Sequence, residues 1–217
     1  MKSLPDIRTL GNMIDISRER ADEAVEVLAL AFEHDPFMQY LFSDQSQLTA
    51  FHSQLWEVFH WICAECLDLK WPLLGYEVDG KLVGVACVEE PDDKPQPDSV
   101  ERGYDRFTSV IGPEATHRLE AYIQLTYQYM PKQPSHFLSS IGVRPKAQGR
   151  GYGRIMLDAV QALSEAHPIS TGVALDTENA ANVPLYEHCG YGVIAKTNLE
   201  YVDVWYMFRP NRIQRRI

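Results

Sequence analysis

Three glycines stand at alternate positions in Gln148-Gly149-Arg150-Gly151-Tyr152-Gly153, just after the turn Val143-Arg144-Pro145. Glycine has no Cβ, so successive backbone N–H groups can approach an anion closely there. An apolar helical pattern begins after Gly153, and the positive end of its dipole points the same way. The chemistry this suits is phosphate binding. Two nucleotide signatures fail on spacing. A Walker loop needs Lys-Ser or Lys-Thr after its glycines, and none follows. The dinucleotide pattern G-x-G-x-x-G would need glycine at Arg154 or at Met156, depending on where counting starts.

The first run instead matches Q/R-x-x-G-x-G/A preceded by V-x-P, and it resembles motif A of the GNAT superfamily of N-acetyltransferases. Downstream, Asn182, Leu185-Tyr186-Glu187 and Gly190-Tyr191 resemble motif B of the same superfamily, in the same order. The resemblance implies an acetyl-coenzyme A site formed by Ile141, Gly142, Val143, Gln148, Gly149, Arg150, Gly151, Tyr152, Gly153, Asn182 and Tyr186. It implies an oxyanion donor in the backbone N–H of Val143, and acceptor-site walls at Phe37, Met38 and Tyr40. The implied reaction is direct transfer of an acetyl group, in a ternary complex, to the primary amine of a small molecule. A protein or peptide amine is the alternative acceptor. A non-catalytic acyl-coenzyme A sensor, in which Tyr186 has no acid role, is the alternative from another class.

Attack of an amine on a thioester builds negative charge on the carbonyl oxygen and then on the departing sulfur, so an oxyanion donor and an acid are required. A phenol of ordinary pKa near 10 is protonated at neutral pH, which suits Tyr186 to the acid role. An alkylammonium must also lose a proton before it attacks. His136 and Glu178 are the candidate bases, and His34 and Asp35 could approach from the acceptor side. No compact His and carboxylate cluster of the H-E-x-x-H kind is present, so no metal is expected.

Positioning these groups takes a strand over His136 to Val143, a helix after Gly153, and a second parallel strand over Gly172 to Asp176. Asn179 to His188 reads as a short helix, followed by two more strands. Ahead of the glycine loop come a short strand at Met13, helices up to Leu67, and a hairpin turning at Asp79-Gly80. Pro113-Glu114 opens a further helix inside an extra segment, residues 91–134. The expected fold is α/β (α+β): the GNAT acyltransferase fold, a mixed central sheet of about seven strands flanked by helices, with a helical insert before the fourth strand. Residues 1–217 are read as one domain.

Thirty acidic against twenty basic residues give a net charge of -10, which speaks against nucleic acid or an anionic membrane as partner and suits a cationic acceptor. No apolar run has the length of a membrane span, and Met1 to Asp6 lacks the apolar core of a signal peptide. The cytoplasm is the expected compartment. Cys63 and Cys66 fit two core positions on one helix better than half a zinc site. Glu89 to Pro97, with four acids and three prolines, reads as a solvated loop, and the arginines from Arg209 to Arg216 as a solvated tail. A homodimer is left open.

Overall fold

A computed structural model describes residues 12–43, 48–91 and 97–212. Seven strands form one sheet: β1 (Met13–Asp15), β2 (Leu73–Val78), β3 (Lys81–Glu89), β4 (His136–Val143), β5 (Gly172–Thr177), β6 (Gly192–Leu199) and β7 (Val202–Pro210). Their spatial order is β1-β2-β3-β4-β5-β7-β6. Every neighbouring pair is antiparallel except β4 and β5. That exception follows from connectivity, because helix α6 (Tyr152–Ala166) carries the chain across the sheet and lets β5 start at the same end as β4.

The period-2 alternation of β3 divides the core. Val85 and Cys87 face helices α1 (Ala21–Ala31) and α3 (Leu48–Leu69), where they meet Val25, Leu28 and Phe59. Ala86 and Val88 face α6 and pack on Met156 and Val160. Cys63, Cys66 and Cys87 are all buried free thiols in the first of these layers. Short helix α2 (Pro36–Leu41) starts sharply because Asp35 Oδ1 accepts from the N–H groups of Phe37 and Met38, with Pro36 at the first helical position.

The insert before β4 consists of two helices, α4 (Asp98–Ile111) and α5 (Pro113–Tyr129). Its first part was expected to be a solvated acidic loop. Glu89 instead ends β3, paired with Phe137 of β4, while residues 92–96 lie outside the described residues. Arg209 is likewise no tail residue: it belongs to β7 and reaches Asp158 at 3.0 Å. Residues 213–217, with Arg215 and Arg216, fall outside the description, as does the segment from Met1 to Asp6. Among the described residues, no helix is long and apolar enough to cross a membrane.

Two irregularities shape the middle of the sheet. β4 and β5 are in register only at His136↔Val173 and Phe137↔Ala174, and beyond these two rungs they diverge. On the other edge of β4, Val88 pairs with Leu138 and Cys87 with Ser140, so Ser139 is an extra residue, a β-bulge. At Gly142 a Cβ would lie 2.8 Å from Ala31 Cβ and 3.1 Å from Leu28 Cδ2, so its lack of a side chain lets α1 lie against β4.

Candidate active site

The glycine loop has the geometry of an anion cradle. Gly149 and Gly151 have φ of 75° and 83°, in the left-handed region that only glycine enters cheaply. Nothing lies within 4 Å of the place where a Cβ would stand on either residue. The first bond within α6 runs from Ile155 N to the Gly151 carbonyl at 3.2 Å. The N–H groups of Tyr152, Gly153 and Arg154 therefore precede the helical ladder and point out of its positive end. Arg150 is exposed beside them, and the Tyr152 ring stacks on Tyr76 with centroids 4.8 Å apart. These residues fit a pyrophosphate.

The strand leading into the loop presents its free edge to the gap between β4 and β5. Arg144 N donates to Val83 O at 2.8 Å, toward β3. Successive residues of a strand direct their N–H groups to opposite edges, so the amide of Val143 faces the gap. The Val143 carbonyl lies on that same edge, where it accepts from Gln148 Nε2 at 3.1 Å. Gln148 thus holds the strand end in place. Arg144 has a comparable duty, since its side chain binds the Leu82 carbonyl and Glu26.

Tyr186, on helix α7 (Val183–His188), packs in the same cluster as Val143 and has 7% of its surface exposed. Burial, and then the carboxylates of Glu178, Asp176 and Asp35, push its pKa above the ordinary phenol value, so the hydroxyl is protonated at neutral pH. Asp176 and Glu178 are positioned from above by α5. Thr126 Oγ1 donates to Asp176 Oδ2 at 3.1 Å, and Tyr122 Oη donates to Glu178 Oε1 at 3.0 Å. Burial raises Asp176 to about 6, against the pull of the Tyr122 and Thr126 hydroxyls. Glu178 is raised well above the usual carboxyl range by burial and then by the neighbouring charges of Asp176 and Asp35.

These groups border a cavity of about 1280 Å³. Its walls come from the start of α2, from α3, from the ends of β3, β4 and β5, and from both insert helices. Phe37 and Met38 line it, and the Phe37 ring stacks on Tyr122 at 4.0 Å.

A sequence model of the Acetyltransferase (GNAT) family matches residues 36–191, well over half of the chain. The chain belongs to the GNAT acetyltransferase family. Solved structures agree in fold over almost the whole length. One described as histone acetyltransferase HPA2 and related acetyltransferase, from Corynebacterium glutamicum, is 17% identical with a TM-score of 0.70, covering 94% of this chain and 98% of that one. Arylalkylamine N-acetyltransferase 2 from Aedes aegypti is 12% identical with a TM-score of 0.63, covering 92% and 98%. The PaiA N-acetyltransferase from Thermoplasma acidophilum, solved in complex with coenzyme A, is 12% identical with a TM-score of 0.52, covering 91% and 97%.

In this acetyltransferase the expected site residues separate into those at the cavity and those away from it. Ile141, Asn182, Tyr186, Glu178, Phe37 and Met38 all line the cavity. Asp35 lines it too, whereas His34 is exposed and does not. Tyr40 is buried beside it, its hydroxyl donating to Glu200 at 3.2 Å and its ring edge-on to Tyr201. His136 is elsewhere. It lies at the closed end of the gap, where β4 and β5 still pair, with Nδ1 2.9 Å from Ser170 Oγ and its ring edge-on to His167. It does not line the cavity.

Four cavity groups of the acetyltransferase were not singled out from sequence: Asp176 as a site residue, Glu65, Glu89, and the Tyr122–Thr126 face of α5. Asp176 carried a signal, being a carboxylate inside the apolar strand Val173-Ala174-Leu175. Glu65 carried one as well, sitting between Cys63 and Cys66 on the apolar side of α3.

Proposed function

We propose that this acetyltransferase uses acetyl-coenzyme A to acetylate the primary amine of a small molecule by direct transfer. The observation that supports the reading is that β4 and β5 part beyond Phe137↔Ala174, with Val143 and Tyr186 packed in one cluster and Tyr186 lining the cavity. Acetyl-coenzyme A, when bound, supplies the acetyl thioester.

The chain's own groups divide the remaining work. The amides from Gly149 to Arg154, at the positive end of α6, hold the pyrophosphate. The Val143 N–H faces the oxygen on which negative charge develops, a donor fixed in place before reaction by its strand. Glu178 accepts the proton that the ammonium group must lose, and Tyr122 keeps its carboxyl oriented. Tyr186 holds a proton at its Oη for the sulfur that leaves. The walls that α4 and α5 add to the cavity support a small acceptor over a protein chain.

The test is purified protein with acetyl-coenzyme A and a panel of alkylamines, arylalkylamines, amino acids and peptides, with thiol release followed and coenzyme binding measured separately. Small amines are expected to turn over. Tyr186→Phe is expected to lower kcat by roughly a hundredfold or more while coenzyme affinity holds. Binding without turnover on any acceptor supports a sensor, and turnover on peptides alone supports the protein reading. Failure to bind coenzyme A overturns the proposal.

A further inference from the structure

We infer that the acceptor is a linear amine with at least two positive charges, one nitrogen presented to Glu178 and a second held by Glu65 and Glu89. The inference rests on the reading of the site as an amine acetyltransferase and adds the substrate class.

Seven carboxyl residues line the cavity; Asp98 and Glu101 are exposed at the start of α4, and the other five are Asp35 before α2, Glu65 on α3, Glu89 at the end of β3, and Asp176 and Glu178 at the end of β5. Among the described lining residues only Lys132 is basic, and its ammonium donates to the Tyr127 carbonyl. Two of the five are accounted for by α5, and Asp35 by its cap on α2. Glu65 and Glu89 have no hydrogen bond or ion pair from any described residue, although both are enclosed. A buried carboxyl without a donor is costly unless something else answers its charge.

Glu89 lies near enough to Glu65 and Asp176 for both charges to raise it, so carboxyls from α3, β3 and β5 share one negative region of the cavity. Among the described residues, no three carboxylate, histidine or cysteine groups converge as they would around a metal ion. The cavity wall also carries Trp61, Trp71 and Tyr104, and the Trp61 indole N–H has no partner among the described residues. Methylene groups suit such a wall, and ammonium groups are attracted to aromatic faces. Cationic nitrogens separated by short methylene runs match both features.

The experiment compares butylamine, 1,4-diaminobutane and the triamine N-(3-aminopropyl)-1,4-diaminobutane as acceptors. Calorimetry of each into the protein loaded with coenzyme A reads binding without turnover. The triamine is expected to bind, and to show a KM, roughly tenfold or more below butylamine, with the advantage shrinking as salt is raised. Glu65→Gln and Glu89→Gln, which keep side-chain size, are expected to raise the triamine KM by roughly tenfold and to narrow the gap to butylamine. Equal binding of triamine and butylamine overturns the inference, as does an equal loss for both amines in the two variants. Turnover of monoamines with no gain from a second charge sinks this inference alone, whereas loss of coenzyme binding sinks the reading of the site beneath it.

Discussion

The phenol of Tyr122, on the second insert helix, donates to the carboxylate of Glu178 at 3.0 Å and so ties the insert to the end of β5. Segments 56 positions apart thereby share one partly buried hydrogen bond. The insert is a working wall of the site.

Tyr122→Phe tests this. The ring keeps its stack on Phe37, but Glu178 loses a donor that lowers its pKa. The proposed proton acceptor then charges less readily, so the acid limb of the kcat/KM profile moves to higher pH. A fall in kcat of roughly 3- to 30-fold at neutral pH is expected, with coenzyme affinity unchanged. A pH-rate profile beside a coenzyme titration checks both.

Glu89 makes stability depend on pH. Burial, with Glu65 and Asp176 nearby, raises it to about 8 from an ordinary 4.5. Between those values the folded state binds more protons than the unfolded chain, so the contribution is full below about 4.5 and is lost as pH rises through 8. Glu89→Gln is expected to be more stable than the parent at pH 8.5 by about 1–2 kcal/mol, with the gain gone near pH 5. Thermal melts at the two pH values decide it.

Gly142→Ala would put a methyl group 2.8 Å from Ala31 Cβ, with no flexible side-chain end to move aside. Either α1 shifts or β4 does. A loss of about 1–3 kcal/mol is expected, read as a Tm lower by roughly 3–10 °C.

Two glycines of the loop should fail differently. Gly151 has φ of 83°, and alanine there costs about 1 kcal/mol of folding in strain alone. Gly153 sits inside α6 with its nearest would-be neighbour, Val143 Cγ2, at 3.9 Å, so Gly153→Ala folds at least as well. Its new methyl stands among the amides that face the anion, and a roughly tenfold weaker coenzyme A affinity is expected from titration.

What could be read in the sequence was local. The glycine loop, the Leu185-Tyr186-Glu187 helix and the hairpin at Asp79-Gly80 are defined by neighbours in the chain, and each stands where spacing placed it. The acceptor cavity was not legible, because its carboxyls meet only through tertiary packing. Glu89 was hidden by its neighbours: beside prolines and aspartates it reads as solvated, and only pairing with Phe137 brings it inside. His136 misled in the opposite sense. It shares a strand with Val143, but the strands part beyond it and leave it at the closed end.

That parting makes the molecule two half-sheets joined by two rungs. Val143, Glu65 and Glu89 ride on the half built from β1 to β4, while Asp176, Glu178 and Tyr186 ride on the half formed by β5, β7 and β6. The width between the proposed oxyanion donor and the proposed acid therefore depends on the rungs at His136↔Val173 and Phe137↔Ala174 together with α6, which packs on β3, β4 and β5. The pivot is built from backbone, with His136 packed into it. His136, absent from the cavity wall, thus sits at a joint between the two halves.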